Sequence, residues 1–498
     1  MPKSYFYITT TLPYVNAEPH LGFALELVQA DVIARYHKLL DEEVFFNTGT
    51  DEHGLKIYNK AVEQNKDPQT YTNEYAAKFK QLVPALGISS DIHFIRTTEP
   101  SHISATQEFW KRCEKNGDIY KAKYKIKYCV GCELEKTESD LDENGRCLLH
   151  PNLEIEIREE ENYFFKFSKY QEPLLKFYDQ HPDFVVPDFR FNEIKQFVKS
   201  GLQDFSISRL KSKMPWGVPV PADADHVMYV WFDALINYIS TLGWPEWEKS
   251  DFGLFWGTKQ HPNAVQIAGK DNLRQQSAMW QAMLMSAEVP NSKQIIIHGF
   301  INSGGQKMSK SLGNVADPYQ ILSQLKSKGL SDEQAIDALR YYLLREIPAF
   351  EDGDYTWEKL IESYNSGLAN GIGNLTSRIL KMAVNAGIKN YESEIKGKET
   401  KLSEQYHRNI SSFNLKGALD AVWSQIKLLD TIIQQEQPFK KINNNRSEAE
   451  GDIKGLLGLL NGVALDIQPF LPQTSEKILE ALKNPSEGSI PRLFPRIQ

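Results

Sequence analysis

The sequence predicts an α/β fold, in which a parallel sheet is split by an insertion and followed by an all-α region. Three observations carry this. Strand-like and helix-like patterns alternate in the first segment and again from about residue 227. Short Tyr- and Lys-rich strand patterns around a cysteine cluster separate these two stretches. Beyond about residue 357 the pattern is helical to the end.

In chain order, Ser4 to Thr10 is strand-like. Pro19 opens a helical run with Leu21, Ala24, Leu25, Val28, Val32 and Ala34 at helical spacing, because proline suits a first turn whose N–H has no partner. Val44-Phe45-Phe46 is a second buried strand, ending at Thr48-Gly49-Thr50-Asp51. Strand–helix–strand implies a parallel sheet with its ligand at the C-terminal ends of the strands. An acidic run, Glu154 to Glu161, follows the cysteines. The strand and helix pattern resumes near Met228-Tyr229-Val230-Trp231 and continues through Gln266-Ile267-Ala268-Gly269 and Ile295–Ile297. Asn443-Asn444-Asn445-Arg446 is an exposed turn between helices.

The chain's 498 residues exceed one ordinary core, so two to four domains are expected. With 41% hydrophobic and 24% charged residues, the composition is that of a globular protein without a membrane-spanning run. The N-terminus runs straight into a strand with no signal peptide, which predicts a cytoplasmic protein. A net charge of −8 argues against a broad non-specific grip on nucleic acid, so an RNA partner needs a local basic face. Three of the four cysteines fall between positions 129 and 147, which in a reducing compartment points to metal before disulfide. Cys129-Val130-Gly131-Cys132 and Cys147-Leu148-Leu149-His150 offer three thiolates and an imidazole, a closed tetrahedral set for one structural Zn²⁺.

Two short stretches carry nucleotide chemistry. Lys307-Met308-Ser309-Lys310-Ser311 follows Gly304-Gly305 and places two ammonium groups on a loop suited to a polyphosphate; most Lys-Ser runs are solvated loops. His20-Leu21-Gly22-Phe23 sits at a strand-to-helix turn, where free N–H groups and a positive dipole end meet phosphate.

The first of these resembles the KMSKS signature of class I aminoacyl-tRNA synthetases. Thr11-Leu12-Pro13-Tyr14-Val15-Asn16 with Pro19-His20-Leu21-Gly22 is similar to the HIGH motif as methionyl-tRNA synthetases carry it. The resemblance runs nearly end to end. It implies a Rossmann-like class I synthetase catalytic domain with a parallel sheet, split by a zinc-knuckle connecting insertion, and an all-α anticodon-binding bundle. The implied segments are 1–115 and 227–315 for the catalytic domain, 116–226 for the insertion, 316–356 for the connector and 357–498 for the bundle. It further implies ATP with Mg²⁺ and L-methionine as substrates, tRNA(Met) as partner, and no membrane. The ATP site would comprise His20, Gly22, Phe23, Gly269, Asp271 (on the ribose), Lys307, Ser309 and Lys310. The methionine site would comprise Leu12, Tyr14, Asp51 (on the α-ammonium), Trp231, Ala234, Leu235, Tyr238 and Gln276. Asn374, Arg378 and Phe439 would read the anticodon, and Cys129, Cys132, Cys147 and His150 would hold the zinc. Phe23 stands where the family has His, Gln276 where better-known relatives have His, and Phe439 where they have Trp. No appended oligonucleotide-binding domain is visible, so a monomer is expected. Two other readings stay open: a synthetase for another apolar amino acid, disfavoured by the small insertion, and a non-catalytic tRNA-binding paralogue, opposed by the two lysines.

Overall fold

The computed structural model describes residues 3–129, 134–136, 141–148, 150–247, 250–308, 314–389 and 404–498. Strands β1 (Tyr5–Thr9), β2 (Glu43–Thr50), β3 (His93–Arg96), β4 (Val185–Val186), β5 (Ala264–Gly269) and β6 (Gln294–His298) form one sheet in the order β3-β2-β1-β5-β6-β4. Every pairing in it is parallel. The chain order reverses between β1 and β5. In open parallel sheets such a reversal leaves a crevice at the strands' C-terminal ends, where ligands bind.

The helix after β1, α1 (Leu21–Leu39), is buried on nearly every face. It lies between the sheet and the helix Asp332–Arg345, which explains its near-continuous apolar run. Pro19 lies before the helix. His20 caps it with extended backbone, and its Nδ1 accepts the Gly22 N–H at 3.1 Å. An imidazole side chain has taken the capping role usually held by Ser or Asp.

Between β3 and β5 the chain builds a second sheet, in the order Leu134–Lys136, Ile119–Cys129, Ile155–Phe165, Phe205–Ser206. The acidic run is therefore a strand. Its register sets Glu161 opposite Lys123 and Glu159 opposite Lys125, so unlike charges face each other across the ladder. The expected resumption near Met228 takes a different form. Asp223–Met228 joins a small antiparallel sheet with Pro219–Val220 and Ser208–Leu210, and the parallel sheet itself resumes at β5. Val185–Val186, from inside segment 116–226, supplies an edge of the main sheet.

Beyond β6, Ile301–Ser303 turns at Gly304-Gly305 into Gln306–Lys307, and Gly353–Tyr355 pairs with Ile301–Ser303 on its other side. From Trp357–Ser363 to Pro472–Lys483 the described chain is helical, and residues 443–445 form the turn before the helix Arg446–Ile467. The buried guanidinium of Arg340 joins three regions. It donates to the carbonyls of Leu86, Pro469 and Phe470 at 3.1, 3.0 and 2.8 Å, and it pairs with Asp31 of α1 at 2.8 Å. Every edge of the guanidinium is used, which a lysine could not reproduce. Among the described residues, no helix is long and apolar enough to cross a membrane.

Candidate active site

The crevice between β1 and β5 is walled by two backbone turns. On the β1 side stands the N-terminus of α1. With Nδ1 of His20 accepting from Gly22, the neutral ring carries its proton on Nε2, a donor at an exposed helix N-terminus. A Cβ on Gly22 would come within 3.1 Å of the His20 ring, so the glycine keeps room for the imidazole itself. Phe23, placed in the ATP site by resemblance, turns away from it. Its ring is buried and meets Phe79 edge-on at 5.5 Å, because the residue falls on the core face of α1. On the β5 side, Gly269-Lys270-Asp271 forms a short turn. A Cβ on Gly269 would come 2.8 Å from Asp271 Oδ1, so glycine here lets the carboxylate fold back over the strand end.

The lysine segment approaches the same place. The Leu21 N–H donates to the Ala316 carbonyl at 2.9 Å, and the Ala316 N–H reaches Met308 Sδ at 3.3 Å. The hairpin ending at Lys307 and the chain that returns from the motif are thus fastened to the first turn of α1. Ser309 and Lys310 lie outside the described residues, as does the Lys307 side chain.

Two residues absent from the sequence reading sit below these turns. Glu26, buried in α1, accepts from the Thr11 N–H and hydroxyl through Oε1, and pairs with His298 Nε2 at 2.9 Å through Oε2. His298 Nδ1 lies 2.7 Å from the Gly299 carbonyl, so both ring nitrogens face acceptors. Burial opposes a charge on His298, but the Glu26 carboxylate outweighs it and raises the imidazole's pKa above its ordinary value. The signals were a glutamate within an apolar helix and a histidine closing an apolar strand.

Tyr14 and Asp51 are held side by side by a parallel bridge, with Val15 N–H donating to the Asp51 carbonyl at 3.1 Å. Gly54, at φ +110°, brings the acidic loop against Tyr14, where a Cβ would lie 2.5 Å from the phenol oxygen. Asp51 is buried and its Oδ1 has no hydrogen-bond partner. Burial, and then the like charge of Asp233, push its pKa well above the carboxylate range. Asp233 keeps its charge because two imidazoles flank it: His53 Nδ1 at 2.6 Å and His102 Nε2 at 2.9 Å. Burial opposes that charge, yet the histidines, His53 foremost, lower its pKa to about 2. Asn47 Nδ2 donates to Asn237 Oδ1 at 3.1 Å, tying β2 to the segment that carries Trp231, Ala234, Leu235 and Tyr238.

At the pocket wall, Gln276 Nε2 donates to the Tyr238 hydroxyl at 2.7 Å, and Gln276 Oε1 accepts from Gln266 at 3.1 Å. Gln276 lies on the π-helical turn Gln275–Met279, a local widening frequent at functional sites. Leu12, Tyr14, Trp231 and Ala234 are half-buried, whereas Leu235, Tyr238 and Gln276 are buried. Of these residues, Tyr14 is joined to Asp51 by backbone bridging and Tyr238 to Gln276 by a side-chain hydrogen bond.

Away from this crevice, ligand atoms of Cys129, Cys147 and His150 lie within 4.8 Å of one another, with Cys129 Sγ 3.8 Å from His150 Nδ1. Cys132 lies outside the described residues. This donor set fits a tetrahedral thiolate–imidazole metal site. Cys113 is buried elsewhere, where burial pushes its thiol up to about 12. In the helical region, exposed Asn374 begins the helix Asn374–Ala386, and Arg378 pairs with Asp430 of the helix Leu415–Glu436. Phe439 is exposed on the short helix Pro438–Lys441.

A parallel sheet with a topological switch, a histidine-capped helix on one side, a Gly-Lys-Asp turn on the other and a lysine hairpin fastened alongside define the catalytic domain of a class I aminoacyl-tRNA synthetase. The family described as "tRNA synthetases class I (M)" matches residues 6–147 and 131–380. A methionine–tRNA ligase of Thermotoga maritima is 40% identical over 485 residues, covering 95% of this chain and 74% of that protein. One from Thermosynechococcus vestitus is 39% identical over 488 residues, covering 95% and 89%. The solved Mycobacterium tuberculosis methionyl-tRNA synthetase in complex with methionyl-adenylate superposes with a TM-score of 0.85 at 33% identity, covering 99% of this chain and 97% of that one. The chain belongs to the methionyl-tRNA synthetase family.

Proposed function

We propose that this chain activates L-methionine with Mg·ATP to methionyl-adenylate and transfers the acyl group to the 3′ end of tRNA(Met), with the roles below. The observation that carries the reading is the buried Asp51 carboxyl, bridged beside Tyr14, whose Oδ1 has no hydrogen-bond partner. A buried carboxyl oxygen without a partner is costly, and the α-ammonium of an amino acid supplies one.

The substrate carboxylate, placed by that ion pair, attacks the α-phosphorus of ATP, and pyrophosphate leaves. Catalysis is positioning plus electrostatics, with no protein nucleophile. His20 Nε2 donates to a phosphate oxygen, and Lys307 and Lys310 take up charge on the departing pyrophosphate with Ser309 beside them. Gly269 and Asp271 hold the ribose. Leu12, Trp231, Ala234, Leu235 and Tyr238 line the side-chain pocket, where aromatic and small apolar groups suit a polarisable thioether. Gln276 braces Tyr238. Cys129, Cys132, Cys147 and His150 would hold a Zn²⁺ in a closed set of four ligands, where it would organise the insertion without entering the chemistry. Asn374 and Arg378 hydrogen-bond anticodon bases and Phe439 stacks on one. The enzyme acts as a monomer in the cytoplasm.

Methionine-dependent exchange of pyrophosphate into ATP tests the reading. A tRNA-binding paralogue gives no exchange, and a synthetase for another apolar amino acid exchanges only with that amino acid.

A further inference from the structure

We propose that Asp354 is a positioning residue for adenylate formation, its carboxylate fixing the turn of the hairpin that delivers Lys307. The proposal rests on the reading above that the lysine segment grips the triphosphate.

The hairpin Ile301–Ser303 to Gln306–Lys307 is short, with Asn302 opposite Lys307 and Ser303 opposite Gln306. A two-stranded ribbon of this length has no stability of its own. Its turn is Gly304-Gly305, at φ +60° and +76°, with nothing near either Cα that a side chain would touch. Two glycines in an open, left-handed turn make the least constrained backbone a hairpin can have. An external brace is required, and it comes from across the mini-sheet. Gly353–Tyr355 pairs in parallel with Ile301–Ser303, setting Asp354 beside Asn302. From there Asp354 Oδ1 accepts the Gly305 N–H at 2.7 Å, while the Tyr355 carbonyl accepts the Gly304 N–H at 3.2 Å. The acceptor oxygen thus ties down the middle of the turn.

The brace is itself held. Asp354 Oδ2 accepts from Lys359 Nζ at 3.0 Å, and the Asp354 carbonyl accepts the Tyr342 hydroxyl at 3.0 Å. The Gly305 N–H is the foremost cause holding the Asp354 carboxyl below its usual range, in keeping with a short charged hydrogen bond. Asp352, two residues earlier, does the same for the opposite wall. Its Oδ2 pairs with Lys270 at 2.7 Å and its Oδ1 accepts the Phe300 N–H at 2.9 Å. One edge of the connector thus sets both the Gly-Lys-Asp turn and the lysine hairpin, with the ATP-binding crevice between them.

The test is steady-state pyrophosphate exchange on the full chain with Asp354→Ala, Asp354→Asn, Asp354→Glu and Lys359→Met, alongside Lys310→Ala. Asp354→Ala removes the acceptor and lowers kcat by about 10- to 100-fold, with KM for methionine unchanged. Asp354→Asn retains an acceptor oxygen at the same reach and restores most of kcat. Asp354→Glu keeps the charge but displaces the acceptor, so its kcat falls below that of Asp354→Asn, a comparison that stands even if the alanine variant does not fold. Lys359→Met stays within about twofold of the unsubstituted enzyme, since the Gly305 bond survives. Equal kcat in Asp354→Ala and the unsubstituted enzyme overturns the proposal, as does an asparagine variant no better than alanine, or a loss confined to KM. If Lys310→Ala exchanges normally, the lysine reading itself falls, and this inference with it.

Discussion

The Leu21 N–H donates to the Ala316 carbonyl across 2.9 Å, joining the first turn of α1 to the chain just past the lysine motif. The two stretches to which we assign nucleotide chemistry, far apart in sequence, are therefore joined at one helix N-terminus through Ala316 and Met308.

That meeting makes Lys310→Ala a decisive variant. Adenylate formation falls by about 100- to 1,000-fold in kcat, the scale of losing one donor to transition-state charge, while KM for methionine holds. Pyrophosphate exchange at saturating and limiting methionine separates the two. A parallel rise in KM counts against a transition-state role.

Asp51 trades stability for binding. Its carboxyl stays protonated in the native state where an unfolded chain has released the proton, so the stability it confers is complete below about pH 3.9 and is lost as pH rises toward the elevated native pKa. Asp51→Asn removes that penalty. Near neutral pH the variant melts higher than the unsubstituted protein in the absence of substrate, yet its KM for methionine rises about 100-fold. Calorimetry with and without methionine reads both effects.

Asp466 gives a cleaner titration. Burial raises its carboxyl to about 7, against the hydrogen bond from Gln425. The native form holds the extra proton between about pH 4 and pH 7, and stability declines across that window. Asp466→Asn flattens the decline: its melting temperature exceeds that of the unsubstituted protein at pH 8, and the gap closes by about pH 4. A gap that is constant across pH contradicts the assignment.

Arg378→Ala weakens aminoacylation through KM for tRNA and leaves pyrophosphate exchange intact. The Asp430 partner is a half-exposed pair worth about 1 kcal/mol or less, so it does not hold the guanidinium away from RNA. Loss of exchange in this variant would place Arg378 in the catalytic half instead.

Chelation of the Cys129, Cys147 and His150 site loosens the insertion. Limited proteolysis between Ile119 and Phe165 accelerates and the melting temperature falls, while native mass spectrometry reports loss of one zinc. Cys147→Ser reproduces the change without chelator.

The local turns were legible in the sequence because they are short strings, such as His20 to Gly22, where the imidazole caps α1, and Gly269 to Asp271, where the glycine admits the carboxylate. What escaped reading was formed by partners distant in the chain. Glu26 and His298 look like interruptions of apolar elements until the sheet places their two elements together. Asp233 stood inside a string read for its aromatics, and only the fold brings His53 and His102 against it. Phe23 was drawn into the site by alignment with the motif, but its position on the helix turns it into the core. The apolar run from Val227 to Trp231 spans the end of one strand and the start of the helix Val230–Ala234, and such a run does not reveal which sheet the strand joins.

The Arg340 guanidinium carries one last consequence. Because it clamps α1, the Leu86 loop and the Pro469-Phe470 corner in a single buried knot, the two helices that meet at that corner, Arg446–Ile467 and Pro472–Lys483, are riveted to the first helix of the parallel sheet.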